Sequence, residues 1–251
     1  MAKKKNKKNY NLINGVVYDL YITGETHIHV SKGNEKLGEG VYNISLLPGD
    51  APLTLKDGTQ LTNIAGTCHG CCEDCKGACY AIKSARVHHN KVIPAWGENT
   101  MLAKNDMKTF FAELQLFLDR TEVSTMRIHV GGEFFSFEYM VALVQFALKN
   151  KDVNFYFYTK RFKWLEMTED VFGDRLTKEN VHPLVSIWHK NYNNPRGFAE
   201  FIYDDGTEPE LKHVFHCPAV DKDGHETGVT CAKCKRCRNA KKGDKTAVYA
   251  H

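Results

Sequence analysis

Long apolar runs are missing from this chain. No uninterrupted hydrophobic stretch approaches the roughly 20 residues that span a bilayer, so neither a transmembrane helix nor a membrane partner is expected. The opening residues, MAKKKNKKNY, are basic, but no apolar segment follows them. That combination does not make a secretory signal, and the expected location is the cytoplasm. Internal repeats and low-complexity tracts are missing too, apart from the lysine arm at residues 1–10. An even cysteine count is also lacking: nine cysteines cannot all pair within one chain. Cytoplasmic thiols stay reduced, so metal binding is expected ahead of a disulfide framework.

The 251 residues, 42% hydrophobic and 25% charged, suffice for one large globular domain or two small ones. The net charge of +4 hides an asymmetry. Five lysines crowd residues 1–10, seven Lys/Arg crowd CAKCKRCRNAKKGDK at 231–245, and the stretch between is mildly acidic. Basic ends of this kind attract phosphate, which makes nucleic acid or a nucleotide the partner class to consider. A solvated tail is the simpler reading for Lys3–Lys8; in the C-terminal segment the charges alternate with cysteines and would be held in place.

Periodicity alternates along the chain. Residues 41–47 (VYNISLL), 126–130 (MRIHV), 153–159 (VNFYFYT) and 183–189 (PLVSIWH) read as strands. Helices are expected over 74–90, over 101–119, from a cap at Ser136 along the stripe Phe137, Met140, Val141, Val144, Ala147 and Leu148, and over 161–167. Strands separated by helices predict an α/β fold: a partial (βα) barrel or a related mostly parallel sheet. The expected organisation is a flexible arm at 1–10, an α/β domain at 11–215 carrying a cysteine loop, and a basic, cysteine-rich, metal-binding appendage at 216–251. Arg127 and His129 alternate with apolar neighbours and are expected on one face of their strand.

GTCHGCCEDCKGACYAIKSAR, residues 66–86, packs five cysteines into twelve positions after the first of those strands. Loops at the C-terminal edge of a parallel sheet are where α/β folds place ligands. Cys68, Cys72 and Cys75 form one three-cysteine set; Cys68, Cys75 and Cys79 form another. Three thiolates on a four-iron cluster leave one iron open to a small molecule, whereas structural zinc takes four ligands and closes its shell. Spacing alone leaves both metals open.

In the tail, Cys217-Pro218 is followed by Cys231-x2-Cys234-x2-Cys237. Four thiols in about twenty residues fit a four-iron cluster, with zinc as the alternative. Strand 126–130 runs into Gly131, Gly132 and Glu133. Two glycines there would admit a ligand close to the backbone, and a carboxylate would accept from an ammonium group.

A cysteine loop after one strand and a Gly-Gly-Glu end on the next resembles radical S-adenosylmethionine enzymes. A closer resemblance rests on NISLLPG (43–49), TC-x6-C-x3-CYA (67–81), Arg86 with Glu98-Asn99-Thr100, RIHVGGEFFSFEY (127–139), FYFYTKRFKWL (155–165), the Ser186 strand and CP…C-x2-C-x2-C (217–237). In these the chain is similar to the gene-product-88 family of phage proteins. The resemblance implies Cys68, Cys75 and Cys79 as the loop ligands, with Cys72 as the alternative. It further implies Gly131, Gly132, Glu133 and Ser186 as cofactor contacts, S-adenosylmethionine as cofactor, and the host cytoplasm as the setting. The leading expectation is a radical S-adenosylmethionine-like iron–sulfur enzyme. The alternatives are a zinc-stabilised nucleic-acid-binding protein without catalysis and a structural or redox iron–sulfur protein.

Overall fold

The computed structural model describes residues 28–33, 35–49, 66–188, 193–207, 211 and 213–249 in full, and residues 9–13, 16–20, 53–54 and 60–61 as strand backbone. Residues 1–8 of the arm expected at 1–10 lie outside the described residues, and residues 9 and 10 open β1. In chain order the elements are β1 (Asn9–Ile13), β2 (Val16–Leu20), β3 (Val30–Ser31), β4 (Val41–Ile44), β5 (Leu53–Thr54), β6 (Gln60–Leu61), α1 (Glu73–Gly77), α2 (Tyr80–Val87), α3 (His89–Asn105) and α4 (Met107–Arg120). They continue with β7 (Thr125–Ile128), α5 (Phe137–Lys149), β8 (Asn154–Thr159), α6 (Phe162–Phe172), α7 (Arg175–Lys178), β9 (Val181–Ile187), β10 (Ala199–Asp204), β11 (Phe215–His216), α8 (Cys231–Cys234) and β12 (Lys245–Tyr249).

The chain divides into two compact units. Unit 2 comprises residues 31–44, 122–129 and 136–251 and carries the main sheet. Its strands follow the order β3-β4-β7-β8-β9-β10-β12-β11. The pairs from β4 through β12 to β11 are parallel. From β4 to β10 spatial order follows chain order, with no reversal and hence no topological switch point. That is the singly wound order of a (βα) barrel wall, and the expected α/β class with a mostly parallel sheet is what the chain adopts.

Alternation along the strands gives the sheet two chemically different faces. Register aligns Ile44, Ile128, Phe157 and Pro183, and likewise Met126, Phe155 and Val181. Apart from Pro183, every one of these is fully buried. Phe146 of α5 meets Phe155 edge-on at 6.1 Å, so the apolar face is the one the helices cover. The opposite face aligns Asn43, Arg127, Tyr156 and His182, then Tyr158, Leu184 and Ala199. It carries polar and aromatic side chains and takes the C-terminal segment instead.

Local chemistry sets the helix boundaries. Ser136 caps α5 as expected, accepting from the Tyr139 amide at 3.1 Å. The helix expected over 101–119 is two helices, because Asp106 caps α4, accepting from the Thr109 amide at 3.0 Å and from its hydroxyl at 2.6 Å. The helix expected over 74–90 is broken into α1, α2 and the start of α3, with Cys79 in extended backbone before α2 and His88 before α3. Three of the expected strands run two residues or so away from their forecast ends, at Ile44, Ile128 and Ile187.

Two features depart further from expectation. The C-terminal region, expected as an appendage, finishes in β12, which lies between β10 and β11 inside the sheet. His129 does not share a face with Arg127. It adopts φ 58°, which ends the alternation of β7, and its ring stacks on Tyr139 of α5 with centroids 5.6 Å apart.

Candidate metal centres and the strand-end site

The cysteine loop belongs to unit 1, which comprises residues 1–30, 45–121 and 130–135. Its entry is pinned by backbone: Thr67 N–H donates to Leu47 O at 2.9 Å and Cys68 N–H to Gly49 O at 2.8 Å. A side chain at Gly66 would run into the Gly49 and Pro48 carbonyl oxygens, so only glycine fits this crossing. Cys72 stands at the N-terminus of α1 and Cys79 at that of α2. Tyr80, directly after Cys79, donates its hydroxyl to Val130 O, which holds the end of the loop to the glycine segment.

Thr67 joins the same two segments. Its hydroxyl donates to Leu47 O at 2.9 Å and accepts from the Glu133 amide at 2.8 Å. Glu133 is only 7% exposed, and its Oε1 accepts from the Phe134 amide at 2.8 Å. Burial pushes the Cys68 thiol up to about 12; the Glu133 carboxylate and the thiolates of Cys79 and Cys71 push the same way, and only the Gly49 amide opposes. Cys68, Cys79, Cys71 and Glu133 therefore share one electrostatic neighbourhood. Cys71, which the sequence reading left outside both ligand sets, is among them.

The glycines have a role inside the fold. A Cβ on Gly131 would lie 2.5 Å from the Trp96 ring. Gly132 adopts φ +86°, and a Cβ there would lie 2.7 Å from Thr67 Oγ1 and 2.8 Å from Leu46. The chain's own packing accounts for both. The Glu98-Asn99-Thr100 stretch is likewise structural: Asn99 Nδ2 donates to Ser45 O at 2.9 Å, and Thr100 Oγ1 accepts from Leu47 N–H at 2.8 Å. These buried polar groups clamp the segment after β4 that receives the loop.

The second cysteine group is built into unit 2. Cys231 N–H donates to Lys36 O at 3.0 Å, Ala232 N–H to Leu37 O at 2.9 Å, and Cys217 N–H to Ala247 O at 2.7 Å. Thr230 caps α8, and Lys235 turns the chain out of it in left-handed backbone, φ 60°. Cys237 packs against Leu184, Ala199 and Ala240 and touches the Tyr158 hydroxyl, which places it on the face of the sheet opposite α5. Arg238 donates to Thr125 Oγ1 at 2.7 Å, and His182 Nδ1 lies 3.0 Å from Ala240 O.

Burial raises the Cys217 and Cys231 thiols, and repulsion from Cys234 adds to both. Burial also pushes Cys237 up to about 12, against a lowering contact from the Tyr158 hydroxyl. The Arg127 charge favours the thiolate at Cys231 and Cys237, and its guanidinium lies 4.8 Å above the Tyr158 ring. Thiol ligands give up their protons when a metal binds. The donor set fits a thiophilic metal or an iron–sulfur cluster.

Among the described residues, the group of three possible ligands with all donor atoms within 4.8 Å is Asp221, Asp223 and His225. No three cysteine sulfurs form such a group among the described residues. All nine cysteines are thiols, each half-buried.

Ser186 lies in unit 2 on the face opposite α5, buried, and accepts from the Trp188 indole at 3.1 Å. Trp188 in turn stacks on Tyr203 at 4.3 Å. The basic residues of the C-terminal region are largely engaged: Arg236 with Asp244 at 3.0 Å, Lys242 with Glu169 at 2.5 Å, Lys245 with Glu200 at 3.2 Å. Sequence reasoning missed the half-buried pair His216–Asp204, 2.9 Å apart, whose imidazole also stacks on Tyr249 with centroids 4.3 Å apart. No described helix is long and apolar enough to cross a membrane.

Fold and sites together define a mixed α/β protein with an eight-stranded, mostly parallel sheet and a group of cysteines in each unit. The chain belongs to the Gene product 88 family, whose model matches residues 29–243, a span that takes in both cysteine groups. No curated protein sequence and no solved structure matches the chain.

Proposed function

We propose that this protein is an iron–sulfur enzyme of radical S-adenosylmethionine type. Cys68, Cys75 and Cys79 hold a four-iron cluster at the loop, with Cys72 as the alternative third ligand. Cys217, Cys231, Cys234 and Cys237 hold a second centre. One observation carries the reading: the Thr67–Glu133 hydrogen bond, 2.8 Å, joins the cysteine loop to the Gly-Gly-Glu strand end and puts a buried carboxylate beside Cys68.

Such a cluster, reduced by one electron from an external low-potential donor, would supply reductive cleavage of S-adenosylmethionine. The chain's own part is binding and orientation. Glu133 accepts from the cofactor's ammonium group, Thr67 fixes the Glu133 backbone, Tyr80 anchors the loop after Cys79, and the Gly49 amide supports Cys68. Ser186, expected as a cofactor contact, lies in unit 2, where it accepts from the Trp188 indole. The substrate class that the basic ends favour is nucleic acid or a nucleotide, in the host cytoplasm for a phage-encoded chain.

A second reading, a structural or redox iron–sulfur protein, is favoured by the packing of Gly131 under Trp96 and of Gly132 against Leu46 and Thr67. A zinc-stabilised nucleic-acid-binding protein has less support, because Arg236, Lys242 and Lys245 are engaged by carboxylates.

The test is anaerobic purification, iron and sulfide analysis, reduction with dithionite, and chromatography for 5′-deoxyadenosine. The wild-type chain is brown and releases 5′-deoxyadenosine slowly even without its substrate. Cys75→Ser abolishes the release, and Cys234→Ser removes the second centre alone. Glu133→Gln keeps its iron but binds the cofactor more weakly, by about 1.5–3 kcal/mol for a lost hydrogen bond to a charged group. A loaded cluster that neither binds nor cleaves S-adenosylmethionine leaves the second reading. A colourless zinc protein sinks both.

A further inference from the structure

The tail cysteines gather on the face of the sheet opposite α5, and that face supplies more than a surface. Register puts Arg127 of β7 beside Tyr156 of β8, and Tyr158, two residues on, points the same way. Tyr156 is 1% exposed, and its hydroxyl has no hydrogen-bond partner among the described residues. A buried hydroxyl in that state costs about 1–3 kcal/mol unless something accepts from it. What lies around it is known: the hydroxyl feels the charges of Cys231, Cys237, Arg127 and Arg238. Tyr158 packs on Cys237 and carries the Arg127 guanidinium 4.8 Å over its ring.

We infer that Tyr156, Tyr158 and Arg127 are the positioning residues of an iron–sulfur cluster held by Cys217, Cys231, Cys234 and Cys237, and that they set its reduction potential. The inference rests on the reading of the tail as an iron–sulfur site and deepens it. Four protein thiolates close the coordination of all four irons, so this centre exchanges electrons and binds no substrate.

Each reduction adds one electron from an external donor to a cluster that is already anionic. Hydrogen bonds to its sulfurs and a nearby positive charge stabilise that added charge and raise the potential. Tyr158 donates to Cys237, a contact that favours the thiolate. Tyr156 is the donor with no acceptor among the described residues, and a cluster sulfur would supply one. The apolar neighbours Leu184 and Ala199 exclude water from the same side.

The experiment uses the full chain carrying Cys68→Ser, so that the tail centre alone is loaded, and compares it with the same chain carrying Tyr156→Phe, Tyr158→Phe or Arg127→Gln. Iron and sulfide are measured anaerobically, and the potential is found by titration followed by electron paramagnetic resonance. Expected is unchanged iron in both tyrosine variants, with the reduced-to-oxidised ratio at fixed potential falling three- to tenfold, the larger figure being about 59 mV for a one-electron couple. Arg127→Gln shifts in the same direction. Full iron with potentials unchanged in both tyrosine variants overturns this inference and leaves the iron–sulfur reading standing. Zinc without iron in the parent chain overturns the reading beneath it. Should Tyr156→Phe lose its iron, Tyr158→Phe decides by the same titration.

Discussion

The two cysteine groups are built by opposite means. The loop of unit 1 is made of turns and helix ends: five thiols in a short stretch, positioned by backbone hydrogen bonds to residues 47–49 and by the side chains of Thr67 and Tyr80. The tail of unit 2 offers four thiols on a finished surface, with cysteines anchored by β12, by the turn at 36–37 and by the aromatic face of the sheet. A loop of the first kind can leave a coordination position open and let a carboxylate such as Glu133 approach. A seat of the second kind puts tyrosine side chains and an arginine beside its thiols. Under the function proposed above, the first would hold a cluster that binds a molecule and the second a closed cluster that handles electrons.

The sharpest way to break this contrast is through two glycines, one per group. Gly66 sits where a Cβ would strike the carbonyl oxygens of Gly49 and Pro48. Gly38 adopts φ +81°, and a Cβ there would lie 2.7 Å from Thr230 Oγ1 and 3.0 Å from Ala232 Cβ, at the start of α8. Alanine at Gly66 meets rigid backbone, with an expected cost on the order of 3 kcal/mol from overpacking, concentrated in the loop. Alanine at Gly38 adds about 1–2 kcal/mol of left-handed strain to a similar clash, concentrated under the tail cysteines. Gly66→Ala should lower loop iron and spare the tail; Gly38→Ala should do the reverse. Equal losses at both centres in both variants would mean that the two groups form one cooperative site.

A smaller effect separates acid lability of the fold from that of the thiols. Burial lowers His129 from 6.5 to about 3, and its Nε2 lies 3.0 Å from Tyr139 Oη. The folded value lies below the unfolded one, so between pH 6.5 and 3 the unfolded chain binds the extra proton. This contribution to stability is complete above pH 6.5 and is lost as the pH falls toward 3, by at most about 1.4 kcal/mol per pH unit. His129→Gln should flatten the acid dependence of the melting temperature between pH 6.5 and 5 while iron is released at the same pH as in the wild type. Parallel melting profiles for the two proteins would remove His129 from the account.

Much of this architecture was legible in the residues. Strands of the Phe155–Thr159 kind announce themselves by aromatic and β-branched runs, and Ser136 before an apolar stripe announces a helix. β10 and β12 were not read. Lys245–Tyr249 is a short, alternating strand, but it directly follows a basic cysteine segment whose composition hides it. The partner that makes it a strand, β10, is some forty residues away in sequence. His129 was placed on the wrong face because alternation was extended one residue past the end of β7; the left-handed turn at that position is a tertiary choice, fixed by Tyr139 and by the Ile44 carbonyl that accepts from its amide. Gly131 and Gly132 were rightly marked as sites of close approach, yet sequence cannot say what approaches, and Trp96 lies far away in the chain.

The smallest expected effect concerns Cys71, and it decides which thiols of the loop matter. Spacing put Cys71 outside both ligand sets, whereas its thiolate stands close enough to push up the Cys68 thiol, alongside that of Cys79. Nearness alone does not make a ligand. Cys71 N–H donates to Cys68 O at 3.1 Å, a turn that brings the two residues together whatever their side chains do. Cys79, by contrast, arrives next to Cys68 from the far end of the loop, eleven residues on, and its neighbour Tyr80 is fixed to Val130 O. Proximity that the fold has to build argues for a role more strongly than proximity imposed by a turn. Cys71→Ser should therefore keep wild-type loop iron and 5′-deoxyadenosine release, and Cys79→Ser should lose both. If Cys71→Ser loses the iron and Cys79→Ser retains it, the loop closes on its first turn, and the ligand set inferred from the family motif is the wrong one for this chain.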